Sequence, residues 1–489
     1  MIRAFVLAAS IACLAPPASV DAPATIDAAT AAAIDATTEN WLTTTGAPSV
    51  SIAVVKDGTL AYVKAYGSAR LNPNLPATTE TRYAIDSVSK EFTAAAVLIL
   101  AQQGKLSLDD PAGKYLPDLG EASSVTLRQL LTHTAGLRDF WPQDFVPPEM
   151  SRPTTTEAII KEWAKRPTDF PPGTDWQYSN TGFVAAGAIV EKVSGQNLTA
   201  FLSNQIFAPL KMDRVTEDDT APLSDPDAGA YTRYGLGPLH PAPKEGAGWL
   251  FGAAGLAMKP SDLALWDISL IDRSLLAPDS YTAEFESIHL KDGTDKHYGL
   301  GLDIEEVDGR RKIGHDGAGS GFLAENRIWP DDRIAIVALT NNDWASPGDL
   351  VNRIARLVLP PRPDQVFAKA VDTGLRNLVD RIAFLVLPTS PEEARAKAVF
   401  TGFQNGTVDR TLFTEGGNYY LTADVLADLK ASLGPLGPIG LISLEGQSRR
   451  GGMLTRHWKI LCGGKRLQVV ERGYPDGKLE QFLVMAADE

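Results

Sequence analysis

Cysteine is almost missing from this chain. Its 489 residues contain two, Cys13 and Cys462. A disulfide framework and a thiolate zinc site both need more, so both are excluded. Histidine is scarce too. His133, His240, His289, His297, His315 and His457 form no HExxH and no other close pair, so neither a metal nor another cofactor is expected. Positive charge is in deficit: 46 Lys plus Arg against 60 Asp plus Glu leave a net charge of −14. The chain therefore lacks the basic footprint of a nucleic-acid binder and any polybasic stretch for an anionic membrane. The expected partner is a small molecule or a peptide. Long apolar runs are absent beyond the N-terminus. Ala94 to Ala101 and Ile382 to Leu387 fall well short of the about 20 residues of a transmembrane helix.

What is present describes a globular chain. Hydrophobic residues make up 44% and charged residues 22%, enough to build a sizeable core. At about 150 residues per domain, two or three domains are expected. The N-terminus reads Met1-Ile2-Arg3, then an apolar run from Ala4 to Ala15, then Pro16-Pro17 and Val20-Asp21-Ala22. That order predicts a signal peptide over residues 1–22 and a periplasmic or secreted protein. Ser10-Ile11-Ala12 is a poor lipobox for Cys13. Cleavage after Ala22 leaves only Cys462, which suits an oxidising compartment.

The patterning then predicts a helix over 23–40 and a hairpin, Ser49–Val55 and Leu60–Tyr66, around Asp57-Gly58. A helix over Ser87–Gln103 has so apolar a centre that it should be buried on all sides. Shorter helices are expected at Val125–Leu131, Thr156–Ala164 and Thr181–Ser194, the last stopped by Gly195. Strands return at Tyr298–Ile304, Arg311–His315, Gly321–Trp329 and Arg333–Thr340, followed by a helix over Ser346–Leu357. Strands at both ends with helices between imply one α/β or α+β domain over 23–358, its sheet built from both ends. Leu359-Pro360-Pro361-Arg362-Pro363 opens a linker with a helical stretch over 359–391. A small α+β domain over 392–489 follows. Its helices include Glu392–Phe403 and Ala423–Ser432, and its strands are Ile439–Glu445, Met453–Cys462, Arg466–Arg472 and Leu479–Ala486.

Three short motifs carry chemistry. Ser87 and Lys90 open the apolar helix, three residues apart and so on one face. A serine hydroxyl needs a base, and a buried lysine can be one. Tyr178-Ser179-Asn180 offers a phenol for proton transfer and an amide for a substrate carbonyl or the lysine. Gly314-His315-Asp316-Gly317-Ala318-Gly319 leaves a strand whose glycines admit a ligand close to the backbone. Each motif alone has a plain structural reading: a helix cap with a solvated lysine, a capped turn, and a flexible glycine loop.

In this order the three motifs resemble the serine β-lactamase and penicillin-binding-protein superfamily, whose elements are SxxK, Tyr-x-Asn and Lys/His-x-Gly. The class C branch, with its D-aminopeptidase, D-alanyl carboxypeptidase and family VIII esterase relatives, is the most similar. Leu130–Leu137 and Gly252–Trp266 also look like that branch, and the likeness covers about residues 30–358. The resemblance implies a β-lactamase/transpeptidase-like antiparallel sheet flanked by helices, with a helical subdomain. It implies Ser87 as nucleophile, Lys90 and Tyr178 sharing the acid and base work, and Asn180, His315 and Gly317 at the substrate. It implies an oxyanion hole from the N–H groups of Ser87 and Ala318, and His133 as a packed histidine. Class C enzymes carry Lys-Thr-Gly where this chain has His315-Asp316-Gly317. A neutral imidazole attracts an anion less than an ammonium does, and a facing carboxylate repels it. Ester or D-amino-acid amide hydrolysis is therefore expected ahead of β-lactam hydrolysis or slow penicillin binding. A scaffold without turnover, serving a ligand-binding C-terminal domain, is the remaining alternative. The 392–489 domain is similar to an NTF2-like cone, and Arg449, Arg450, Arg456 and Lys459 read as its solvated strand face. The loop Trp141–Met150 is expected to line the site.

Overall fold

Asp57 and Gly58 both take positive φ, 53° and 75°. That is the backbone of the tight hairpin turn whose twist matches its strands. In the computed structural model, which describes residues 25–117, 119–360 and 390–487, this turn starts the main sheet. The expected signal peptide and most of the linker lie outside the described residues.

Helix α1 (Ala28–Thr45) is capped by the Asp27 carboxylate and ended by Gly46 at φ 70°. Strands β1 (Ser49–Lys56), β2 (Thr59–Leu71) and β3 (Asn74–Pro76) follow. Helix α2 (Ser89–Gln102) runs with every residue from Phe92 to Leu100 buried, as its composition required. Helices α3 (Asn180–Ser194) and α4 (Pro260–Asp272) precede β4 (Asp303–Val307), β5 (Arg310–Gly319), β6 (Phe322–Trp329), β7 (Ile334–Thr340) and helix α5 (Gly348–Val358). The seven strands form one antiparallel sheet in the order β3-β2-β1-β7-β6-β5-β4, so the two ends of the domain meet at its centre.

The sheet is covered on both faces, and the side chains of its central strands sort by alternation. Ala53, Val55, Ala335, Val337 and Leu339 join the core beneath α2 and α4. Val50, Ile52, Val54, Ile334, Ile336 and Ala338 join the one beneath α1 and α5. The two serines of β1 are satisfied: the Ser49 hydroxyl donates to Asn341 Oδ1 at 2.7 Å and the Ser51 hydroxyl to the Tyr83 oxygen at 3.2 Å.

Beyond the linker, α6 (Pro391–Asn405) is capped by Ser390 and α7 (Ala423–Leu433) by Thr422. Strands β8 (Ile439–Arg450), β9 (Met453–Cys462), β10 (Lys465–Gly473) and β11 (Leu479–Ala486) make an antiparallel meander that packs its own Trp458 on Phe400, Phe403 and Leu429 of the helices. Strand β8 does not stop at Glu445. It continues to Arg450, beyond a register shift at Leu444/Gly446, because its polar second half pairs with β9.

This domain docks on the larger one. Arg472 and Gln481 both hold Asp144, at 2.7 and 2.8 Å. His240 meets Asp428 at 2.6 Å, and the Tyr420 ring packs between Phe145 and Tyr234, edge-on to the latter. Two of the four basic residues read as a solvated face are mostly withdrawn from water into ion pairs. Arg456 pairs with the buried Glu471 at 2.9 Å, and Arg450 reaches into the larger domain. Arg449 and Lys459 are exposed as read.

Candidate active site

Ser87 sits in a single tight turn, Asp86–Val88, between the short strand Tyr83–Ala84 and α2. Both of its neighbours are buried, while Ser87 itself is half-buried. The turn is strained: Asp86 has φ 45°, a left-handed conformation that costs a non-glycine residue about 1–3 kcal/mol. Strand β5 holds it from one side. Pairing with β4 ends at Gly314, which leaves the 315–319 stretch of β5 facing the turn. The approach is so close that a Cβ on Gly317 would lie 2.1 Å from the Ile85 carbonyl oxygen. Ala318, next along, is exposed. The sequence-predicted oxyanion pair, Ser87 and Ala318, is thus on adjoining segments.

Lys90 is fully buried in the first turn of α2. Its Nζ lies 3.0 Å from Ser87 Oγ, 2.8 Å from Asn180 Oδ1 and 2.8 Å from the Ala253 carbonyl oxygen. These three positions match the three protons of an ammonium. With one proton gone, the Ser87 hydroxyl can donate to the vacated lone pair. Burial makes that loss easy, lowering the Lys90 pKa from 10.5 to about 7. The Ala253 carbonyl is aimed by two α2 side chains: Ser89 Oγ accepts from the Leu256 N–H at 3.1 Å, and Thr93 donates to Gly252 O at 2.7 Å.

The Tyr178-Ser179-Asn180 segment runs into α3. The Asn180 N–H donates to Asp139 Oδ1 at 3.1 Å, and the Ser179 N–H to His133 Nδ1 at 3.1 Å. His133 is packed between Tyr178, Phe183, Tyr298 and Trp176, its ring centroid 4.2 Å from that of Tyr178. Burial pushes its pKa far down, so it stays neutral. The Tyr178 hydroxyl is buried and makes no hydrogen bond of ordinary geometry among the described residues, though it lies near enough to Ser87 to feel it. Burial raises its pKa, with Ser87 and Arg450 pulling the other way. It is therefore a neutral phenol.

His315 faces the same cluster, with its ring centroid 6.0 Å from that of Tyr178. Both ring nitrogens are engaged: Nδ1 donates to the Asp316 carbonyl, so Nε2 accepts from the Tyr298 hydroxyl at 3.0 Å. Burial lowers its pKa and keeps it neutral. Asp316 lies on the opposite face of β5, 60% exposed and 3.6 Å from Arg327.

Of two further side chains in this cluster, Asp139 went unread in the sequence and Arg450 was read as part of a solvated strand face. Asp139 is fully buried and joins Asn180 to Arg450, whose Nε donates to Asp139 Oδ2 at 2.6 Å. Arg450 also donates to the Trp141 carbonyl at 3.0 Å and places its guanidinium carbon 4.8 Å from the Tyr178 ring centroid. The loop from Trp141 thus contributes a backbone carbonyl beside the cluster.

An amine held near neutrality against a serine hydroxyl, a neutral phenol and an open strand edge make an arrangement for acyl transfer. The profile of the Beta-lactamase family matches residues 30–359, and the chain belongs to that family. It is 31% identical over 307 residues to a D-aminopeptidase of Brucella anthropi, covering 60% of this chain and 56% of that protein. A D-aminopeptidase of Brucella ovis is 31% identical over 326 residues, covering 64% and 60%. The chain thus spans less than two thirds of these relatives. Among solved structures, a D-stereospecific amidohydrolase from Streptomyces sp. superposes with a TM-score of 0.58 at 25% identity, over 66% of this chain and 97% of that one. An octameric penicillin-binding protein homologue from Pyrococcus abyssi shares the fold over 93% of this chain and 99% of that one, at 21% identity and a TM-score of 0.58. No helix among the described residues is long and apolar enough to cross a membrane.

Proposed function

We propose that the protein is a serine hydrolase that opens amide or ester bonds through an acyl-enzyme on Ser87. The observation that carries this reading is the buried Lys90 nitrogen, 3.0 Å from Ser87 Oγ with a pKa of about 7. Neutral Lys90 takes the hydroxyl proton as Ser87 Oγ attacks the acyl carbon. The carbonyl π electrons move to its oxygen, where the N–H groups of Ser87 and Ala318 stabilise the charge. Collapse breaks the bond to the leaving amine or alcohol. Tyr178 protonates that group and regains its proton from Lys90. A water molecule then repeats the sequence and frees the acid.

The substrate class proposed first is the amide of a D-amino acid or short D-peptide, supported by the D-aminopeptidase relatives and the Streptomyces sp. amidohydrolase. The missing Lys of the third motif favours a neutral or cationic acyl group, while Asp316, expected to face the substrate, lies on the opposite face of β5 beside Arg327. The basic-then-apolar order of residues 1–22 supports action in the periplasm or outside the cell.

The test compares the full chain with Ser87→Ala on a D-alanine p-nitroanilide, a p-nitrophenyl ester and a chromogenic cephalosporin. Turnover should fall about 10⁴-fold or more in the variant, with the anilide or ester preferred. No turnover, together with no mass shift on Ser87 from a fluorophosphonate, would point to a scaffold.

A further inference from the structure

We propose that Arg450 of the C-terminal domain is a positioning residue of the hydrolase site, clamping Asp139 and covering the Tyr178 ring, so that the centre is assembled from both domains. This rests on the serine-hydrolase reading of the same cluster.

The geometry forms one continuous path. Arg450 Nε holds Asp139 Oδ2 at 2.6 Å, and Asp139 Oδ1 holds the Asn180 N–H at 3.1 Å. Asn180 Oδ1 in turn holds Lys90 Nζ at 2.8 Å. The path is rigid at its outer end. Gly451 packs so tightly on Pro142 that an added Cβ would lie 2.6 Å from a ring carbon, and Gly452 lies against Arg138. Asp144, five residues beyond Asp139, is gripped from the same domain by Arg472 and Gln481. Each of these contacts from the C-terminal domain falls on residues 138–144, the segment that carries Asp139.

The charge balance gives the path its consequence. Asp139 is fully buried, and Arg450 is its paired cation. A buried carboxylate stripped of its cation is costly and seeks another. The next one along the path is the Lys90 ammonium. The charged groups acting on Lys90 are Asp139, Arg450, Asp86 and, from the far face of β5, Asp316, beside the neutral rings of His133, His315 and Tyr178. Asp144 faces Arg450 but is matched by Arg472. Within this set, Asp139 holds the proton on Lys90 and Arg450 pushes it off. Removing the guanidinium therefore leaves Lys90 protonated at neutral pH, and removes the cation stacked on Tyr178. Lysine in its place restores charge without the planar fork that holds Asp139 and Trp141 together.

The experiment uses the full chain as wild type, Arg450→Met and Arg450→Lys, each checked for a native unfolding transition. The first readout is the rate of fluorophosphonate labelling of Ser87 from pH 5 to 10, with kcat and KM on the D-alanine p-nitroanilide beside it. In the wild type the rate should rise through about pH 7. In Arg450→Met the rise should move up by one pH unit or more, kcat at pH 7 should drop about tenfold, and KM should stay within threefold. Arg450→Lys should recover most of the pH shift and part of the kcat. The second readout is the NMR titration of ¹³C-labelled lysine side chains, with the Lys90 signal assigned by its loss in Lys90→Arg. It follows the proton directly and needs no substrate. An Arg450→Met protein that folds with the Lys90 titration and labelling profile of the wild type would overturn the proposal, reducing Arg450 to a docking contact. Failure of Ser87 to label in the wild type would instead remove the hydrolase reading, while the lysine titration still decides whether Arg450 governs Lys90.

Discussion

Strand β9 has the same dipeptide turn at each end. Gly451-Gly452 precedes it, with φ of 59° and 77°, and Gly463-Gly464 follows it, with φ of 57° and 77°. The backbone chemistry is identical: two left-handed residues, which glycine adopts without a Cβ penalty. The surroundings are opposite. Gly463 and Gly464 are exposed, whereas Gly451 is buried against Pro142 and delivers Arg450 to Asp139. Local sequence therefore sets the turn, and the docking of one domain on another decides which turn works for the site.

The sharpest way to break this comparison is Gly451→Val. A β-branched residue there meets Pro142 and an unfavourable φ together, worth about 2–4 kcal/mol in sum. Withdrawal of the hairpin should take Arg450 with it, so the rise of Ser87 labelling should move above pH 7, in the same direction as in Arg450→Met. Urea unfolding and labelling rates check both. Next comes Asp139→Asn, which leaves the Arg450 charge without its carboxylate. Part of that side chain still reaches water, so the loss is expected near 2 kcal/mol rather than the 3–5 of a fully buried pair. With the carboxylate gone, its hold on the Lys90 proton goes too, and the rise should move below pH 7. Opposite pH shifts from the two partners would show that the clamp acts through charge. The smallest effect belongs to Gly464→Val in the exposed turn, where an added Cβ meets nothing within 4 Å, about 1 kcal/mol from backbone strain alone. Its labelling profile should stay that of the wild type.

The elements that organise the larger domain were legible because local chemistry dictates them. Asp57-Gly58 sets a turn, Gly195 stops α3 at φ 72°, and the apolar run of α2 demands burial. The spacing of Ser87 and Lys90 is also local, and the fold brings it within hydrogen-bond reach of Asn180, a long way along the chain. Arg450 was illegible for a physical reason. Gly446-Gln447-Ser448-Arg449-Arg450 contains no strong strand former, so nothing in it announces a continued strand. Its extension is imposed by pairing with β9. Asp139 gave no signal either, since a single carboxylate after Leu137-Arg138 looks like loop surface until a cation from another domain covers it. His315 was read as a candidate-site residue, but nothing in the sequence pointed to the Tyr298 hydroxyl that engages it. The run expected as a strand over Tyr298–Ile304 pairs as a regular strand only from Asp303.

The pairing of β1 with β7 has a kinetic side. The Ser49 hydroxyl finds its acceptor on Asn341, 292 residues further along, and the two central strands cannot join until that stretch has been made. The entropy of closing so large a loop grows only slowly with its length, but it must be met before the long-range contacts return anything. Ser87, Lys90, Tyr178, Asn180 and His315 all lie inside the loop. On a growing chain Ser87 and Lys90 are therefore synthesised long before that sheet can close, and only the strand that faces them, not their own local spacing, waits for the closure.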